Sequence, residues 1–70
     1  MISASDIEAL FCHLRKNTSK DVFYNIQYDS KYREFNVFVA VKSIGEMRVS
    51  GRGDMVYPAI AALCESEINR

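Results

Sequence analysis

The side chains best suited to chemistry are two cysteines and a single histidine. Cys12 and His13 are consecutive in a stretch typical of a helix, so their side chains diverge. Nucleophilic catalysis needs a thiol, a base and an orienting group at one point, and a metal site needs several ligands at suitable spacing. Adding Cys64 creates neither pattern. We therefore expect no enzyme active site, no cofactor and no metal, with His13 on the surface and both thiols buried as small hydrophobes.

The second group of candidates is cationic. Five residues are candidate contacts for an anionic partner, three after the first predicted helix and two in a predicted hairpin: Arg15, Lys16, Lys20, Lys31 and Arg33. A solvated fringe is the simpler interpretation, because the chain has nine basic and nine acidic residues, a net charge of zero. An obligate nucleic-acid binder is usually strongly basic. Arg52-Gly53-Asp54 matches the integrin-binding tripeptide, but a flexible corner and a helix start explain it locally.

The length of 70 residues sets the scale of the molecule. It allows one small domain, residues 1–70, close to the lower limit for folding without covalent staples. Two cysteines are fewer than a secreted mini-domain of this size usually carries. No signal-peptide pattern is present, and no apolar run approaches the length of a membrane span. We expect a cytoplasmic protein without a membrane partner.

Hydrophobic periodicity predicts a helix and then three strands. Ser5 and Glu8 fit a capping box, with Ser3 as an alternative cap, and a helix is expected over about 5–16. Its apolar face has helical spacing: Ile7, Leu10, Phe11 and Leu14. Strands with alternating apolar residues are expected over about 21–29, 34–42 and 46–51. Met47 and Val49 are predicted to point inward, and Gly45 to take a positive φ in the preceding turn.

Pro58 leaves the start of a last helix open between two alternatives. Either a loose turn leads from Asp54 to Pro58 at the first helical position, or Asp54 caps a helix with an irregular first turn. The apolar face is then formed by Ile60, Leu63, Cys64 and Ile68, with Glu65, Glu67 and Asn69 on the polar side.

The stretch from Phe35 to Val41 organises the predicted fold. Phe35, Val37, Val39 and Val41 alternate onto one side, which both amphipathic helices are expected to cover. The prediction is an α+β domain with two layers, a three-stranded antiparallel sheet with two helices packed on one face, in the order α-β-β-β-α. The other face of the sheet is left open.

This order resembles the double-stranded-RNA-binding domain over most of the chain, from Ser5 to about Ile68. The most similar parts are the apolar central strand, the Gly51-Arg52-Gly53 corner and the alanine-rich Ala59–Leu63. These are framework residues, so the resemblance implies the fold. The family's lysine cluster and its Gly-Pro-x-His loop are missing from the matching stretches, Asp54–Pro58 and Asp29–Tyr32. Because phosphate contacts dominate nucleic-acid affinity, the missing lysines should remove the usual RNA-binding mode. Members of this fold that have lost RNA binding commonly mediate protein association, and the resemblance implies that role here.

The open sheet face is the first candidate for a working surface. The alternation places nine residues on it: Phe23, Asn25, Gln27, Asn36, Phe38, Ala40, Lys42, Arg48 and Ser50. Two phenylalanines among amides and cations fit a protein interface, a base-stacking platform or an ordinary solvated face. We favour a non-enzymatic interaction module, an adaptor, regulator or inhibitor of the kind found among phage and bacterial accessory proteins, binding a protein partner or a second copy of itself. The alternative is an RNA- or DNA-binding module that uses this face or the cationic fringe.

Overall fold

The first helix begins two residues earlier than the favoured capping box predicted. The structure, a computed structural model, describes all residues from Met1 to Arg70, and helix α1 spans Ala4–Asn17. Ser3 is its cap: the Ser3 hydroxyl accepts from the Asp6 N–H at 3.3 Å, and the Asp6 carboxylate accepts from the Ser3 N–H at 2.8 Å. That backbone hydrogen bond holds the pKa of Asp6 below its ordinary value of 3.8. The Ser5–Glu8 box is therefore wrong, and the Ser3 alternative is correct.

The three strands form an antiparallel sheet in the order β1-β2-β3. They span Val22–Asp29 (β1), Glu34–Val41 (β2) and Gly45–Gly51 (β3). Asp29 stabilises the first hairpin, where its carboxylate accepts from the Lys31 N–H at 2.9 Å. Gly45 has a φ of 80° where the β2–β3 turn enters β3, as predicted. Lys42 lies in this turn, one residue beyond β2.

Both helices pack on one face of the sheet, which confirms the predicted α+β architecture. The inner face of β2 is almost completely excluded from solvent, with Val37 and Val39 at 0% exposure. The core is completed by three residues of α1, the first residue of β1 and three of α2: Ile7, Phe11, Leu14, Val22, Val56, Ile60 and Cys64. Met47 was predicted to be inward and is 38% exposed, because β3 is an edge strand that the helix layer covers incompletely. Val49 is half-buried against the core, as predicted.

Helix α2 spans Gly53–Ile68 and contains Pro58 within it. Neither predicted start is correct, because the cap is Arg52, which makes no capping hydrogen bond through its side chain. Pro58 has no N–H to donate to the carbonyl of Asp54, so one hydrogen bond of the helix is missing there. Gly53 allows a close approach at this start, since a β-carbon on it would lie 2.9 Å from Ile2 Cβ.

Glu67 was predicted to lie on the polar side of α2, and this was wrong, because it is only 3% exposed. Its Oε1 accepts a hydrogen bond from the Ser43 hydroxyl at 2.5 Å. Its Oε2 makes no hydrogen bond but lies 3.3 Å from Arg70 Nε and 3.7 Å from Lys20 Nζ. A buried carboxylate needs such compensation. Glu67 therefore ties the end of α2 to the β2–β3 turn and to the connection between α1 and β1.

Candidate interaction surface

The open face is the side of the sheet opposite the helices, and the strand register orders its residues in rows across the sheet. One row is Asn25, Phe38 and Arg48, and the next is Gln27, Asn36 and Ser50. Phe23, Ala40 and Glu46 form a third row toward the β2–β3 turn. The register therefore brings eight of the nine residues predicted for the open face onto adjoining positions of one surface, and Lys42 follows at the turn.

The two phenylalanines of the open face have different environments. Phe23 lies on the edge strand β1 and is 66% exposed. Phe38 is half-buried at the centre of the sheet, and the Arg48 guanidinium carbon lies 5.4 Å from the centroid of its ring. Such a cation–π contact keeps the guanidinium flat against the sheet and contributes about 0.5–1 kcal/mol at an exposed site. The open face thus presents one largely exposed aromatic ring and a second ring beneath a cation.

A shallow depression lies at the centre of the open face. It has a volume of about 260 Å³ and is lined by five of the predicted residues, namely Asn25, Gln27, Asn36, Phe38 and Arg48. Small-molecule sites are usually roughly 300–1,000 Å³ and mostly apolar. This depression is smaller and is lined mainly by amides and a guanidinium. It suits hydrogen bonding to a protruding group of a macromolecule better than enclosure of a small molecule.

The charges of the open face are mixed, and sequence reasoning missed the acidic ones. Glu46 is opposite Ala40, and Asp29 is opposite Glu34 at the other end of the sheet. Together with Lys42 and Arg48, the face carries two cations and three carboxylates. The alternation of β3, which had assigned Arg48 and Ser50 to this side, contained the signal for Glu46. This surface does not have the positive potential that attracts a polyanion.

The predicted anion contacts are largely engaged within the molecule. Arg15 donates to the Val22 carbonyl oxygen from Nη2 at 2.7 Å and from Nε at 3.3 Å. Its guanidinium carbon also lies 4.7 Å from the ring centroid of Tyr24. Lys20 forms the ion pair with Glu67 described above. Lys16, in the last turn of α1, is exposed and has no ion-pair partner within 4 Å.

The remaining two candidates, Lys31 and Arg33, lie at the opposite end of the sheet. Strand β1 separates the connection after α1 from the first hairpin, and eight residues of strand span about 26 Å. Lys31 Nζ lies 5.3 Å from the ring centroid of Tyr32. Arg33 is the one non-glycine residue with a positive φ, 53°. The structure therefore divides the five cations between two distant places and does not form a single anion site.

The cysteines and the histidine do not form a reactive group. Cys64 is buried, and burial raises the pKa of its thiol to about 11, so its thiolate is scarce at neutral pH. Cys12 was expected in the core and is exposed, because it points away from the face of α1 that carries Phe11. His13 is exposed, and its Nδ1 lies 3.2 Å from the Asn17 amide nitrogen. No group of three or more histidine, cysteine, aspartate or glutamate residues has a geometry that fits a metal ion.

The comparisons with known proteins were negative. No protein-family model, curated protein or solved structure matches this chain. Neither of the two helices combines the length and the apolar character needed to cross a membrane. The chain is a small α+β protein with the order helix, three strands, helix.

Proposed function

We propose that this protein is a non-enzymatic interaction module that associates with a second copy of itself through the open face. The observation that carries the proposal is an uncovered sheet face with Phe23 66% exposed at its edge. Folding does not require a large apolar side chain there, since the core lies on the other side of the sheet. Aromatic residues and arginine are enriched at protein interfaces and are scarcer on the remaining surface.

The charge pattern of the open face favours a protein partner over a nucleic acid. Two cations and three carboxylates suit a self-complementary interface, in which Arg48 of one copy meets a carboxylate of the other. In a two-fold dimer the same patch serves both copies, so it must carry both signs of charge. A phosphate backbone would instead meet Asp29, Glu34 and Glu46, and counterion release would contribute little.

The resemblance to the double-stranded-RNA-binding domain supports the same proposal. The order of elements agrees with that fold, while the start of α2 carries Asp54 and lacks the family's lysines. The proposed role is that of an adaptor, regulator or inhibitor that acts by occupying a surface. The two free thiols are consistent with a reducing, cytoplasmic compartment.

The size of the open face limits the strength of the association. Three strands of seven or eight residues present a projected area of roughly 350 Å². A stable interface usually covers about 800 Å² on each partner. The rim residues around the face must therefore contribute, and we expect a dimer with an affinity in the micromolar range or weaker.

Light scattering coupled to size-exclusion chromatography tests the proposal over about 10 µM to 1 mM, the range around a micromolar dissociation constant. The wild type should shift from monomer to dimer with concentration. Phe38→Asp and Phe23→Asp should both remain monomeric, while Met55→Asp, which alters an equally exposed residue on α2 (67%), should behave as the wild type does. Because Phe38 is half-buried, the more exposed Phe23 serves as the decisive variant if Phe38→Asp loses its fold, as judged by circular dichroism.

Two results would overturn the proposal. One is a wild type that stays monomeric throughout the concentration range. The other is nucleic acid that copurifies, shown by the ratio of absorbance at 260 and 280 nm, and leaves the protein on addition of salt. The second result would establish the nucleic-acid-binding alternative in place of self-association.

A further inference from the structure

A second candidate surface lies on the helix side of the sheet, where the first hairpin meets the start of α2. We call it the end groove. It has a volume of about 750 Å³ and is lined by nine residues: Met1, Ile2, Tyr28, Tyr32, Arg33, Phe35, Arg52, Gly53 and Asp54. Its position on the other side of the sheet means that it does not overlap the open face.

The end groove collects apolar surface that the core leaves exposed. Tyr28 is 51% exposed and Tyr32 is 62% exposed, and Met1 extends into solvent beside them. These are three of the six large hydrophobic residues that are exposed anywhere in the molecule. The ring of Tyr28 packs at 4.7 Å, centroid to centroid, on the buried ring of Phe35. The groove therefore has an aromatic floor, formed by Tyr28 on Phe35, and one more exposed aromatic wall, Tyr32.

Two arginines lie at the rim of the end groove. Arg52 donates from Nη2 to the Asp54 carboxylate at 3.1 Å and keeps a side chain that is 71% exposed. Arg33 is exposed and lies in the left-handed region of φ, which costs a non-glycine residue about 1 kcal/mol. Strained backbone of this kind is concentrated at binding sites. Here the left-handed backbone at Arg33 places its guanidinium in the same groove as the exposed rings of Tyr28 and Tyr32.

We propose that the end groove binds an acidic linear peptide segment of a partner protein. An aromatic or large aliphatic side chain of the peptide packs between Tyr28 and Tyr32, and a carboxylate on each side of it pairs with Arg33 and Arg52. Guanidinium groups suit carboxylates because they donate two parallel hydrogen bonds. Tyrosine and arginine are the residue types that most often anchor such contacts.

The surrounding charges favour a peptide over a nucleic acid. Around the end groove, Lys31, Arg33 and Arg52 stand against Asp54 alone, because Asp29 and Glu34 lie on the open face of the sheet. Three cations are too few for the many phosphate contacts on which nucleic-acid affinity depends. A peptide with a carboxylate at each of two positions can pair with Arg33 and, in competition with Asp54, with Arg52. The site is thus suited to a short acidic segment with one apolar anchor.

Nuclear magnetic resonance titration of the full chain with synthetic probes tests this proposal. The first probe is the blocked pentapeptide Asp-Glu-Phe-Glu-Asp, and its matched controls are Lys-Lys-Phe-Lys-Lys and Asp-Glu-Ala-Glu-Asp. A 16-base-pair RNA duplex is the fourth probe. We expect only the first peptide to bind, with a dissociation constant of about 0.1–1 mM, as is usual for a small contact. Its shift changes should be confined to the amides around Tyr28, Tyr32, Arg33 and Gly53.

Variants then assign the contacts. Arg33→Gln and Arg52→Gln should each weaken binding about three- to tenfold, and Tyr32→Ala by about tenfold. Lys42→Gln and Phe23→Ala, which alter the open face, should leave peptide binding unchanged. Equal binding of the acidic and basic peptides, or shift changes centred on the open face, would overturn the proposal. Tighter binding of the RNA duplex at the same residues would replace it with nucleic-acid recognition.

Discussion

Replacing Glu67 by glutamine tests whether its buried carboxylate holds the end of α2 to the β2–β3 turn and to the connection between α1 and β1. Glutamine keeps the size of the side chain and an oxygen that accepts from Ser43, so no cavity forms. The change removes the negative charge that strengthens the 2.5 Å hydrogen bond from Ser43 and that faces Lys20 and Arg70. The variant therefore keeps the shape of the side chain, loses its charge, and puts an amide nitrogen where Oε2 faces Lys20 and Arg70.

The size of the expected loss in folding stability follows from the solvent exposure of each partner of Glu67. A hydrogen bond to a charged group exceeds a neutral one by about 1 kcal/mol. The side chains of Lys20 and Arg70 are 31% and 55% exposed, so each ion pair contributes only about 0.5 kcal/mol after solvent screening. The expected loss is about 2 kcal/mol. For a domain of this size it lowers the melting temperature by roughly 10 °C.

The pH dependence gives a second test of the same carboxylate. The hydrogen bond from Ser43, followed by the charges of Lys20 and Arg70, holds the pKa of Glu67 below its ordinary value of 4.5. A carboxyl with a depressed pKa in the folded state contributes stability that is fully present above pH 4.5. That contribution is lost as the pH falls through the folded-state pKa. The wild type should therefore lose its advantage over Glu67→Gln in acid.

Thermal and urea unfolding, followed by circular dichroism at pH 7 and at several values below 4.5, measures both effects. Glu65→Gln is the matched control, because Glu65 is exposed on the same helix and its replacement should change stability by less than about 0.5 kcal/mol. The reasoning is refuted if Glu67→Gln melts within error of the wild type at pH 7. It is also refuted if the difference in melting temperature between the two proteins persists unchanged in acid.

Two further predictions concern the start of each helix, and unfolding in urea measures both. Gly53→Ala should destabilise the protein by about 1–2 kcal/mol, because the new β-carbon lies 2.9 Å from Ile2 Cβ and 3.3 Å from Phe35 Cε2. Alanine is otherwise the better helix former by about 1 kcal/mol, so a stabilised variant would show that Ile2 moves aside freely. Ser3→Ala should cost about 1 kcal/mol by removing the cap of α1. Ser5→Ala, the control at the alternative cap, should cost little; the reverse order would show that the helix begins at Ser5.

Some errors of sequence reasoning came from alternatives that only the folded chain distinguishes. Ser3 and Ser5 both precede an acidic residue three positions later, and either can cap a helix by local rules. Ile2 packs against the core when Ser3 is the cap, which favours the earlier start. Local rules leave the start of α2 open between Asp54 and Pro58, yet α2 begins at Gly53 and tolerates the hydrogen bond lost at Pro58. Tertiary packing of Val56 and Ile60 outweighs that local penalty.

The sequence by itself determined which side of the central strand β2 faces the core. The alternation from Phe35 to Val41 identified four residues that are all no more than 4% exposed. The alternation of all three strands also placed six residues together on the open face, namely Phe23, Asn25, Gln27, Asn36, Phe38 and Arg48. Periodicity carries this information because the backbone geometry of a strand or helix sets the direction of each side chain locally.

Only the tertiary structure decided which buried charge is compensated and which apolar side chains remain exposed. Glu67 is buried because Ser43, 24 residues earlier, supplies a hydrogen bond and Lys20 supplies a charge. The end groove exists because folding brings Tyr28 and Tyr32 of the first hairpin beside Gly53 of α2. Contacts between residues so far apart in the chain have no periodic signal, since they depend on how the elements pack and not on the conformation within any one of them.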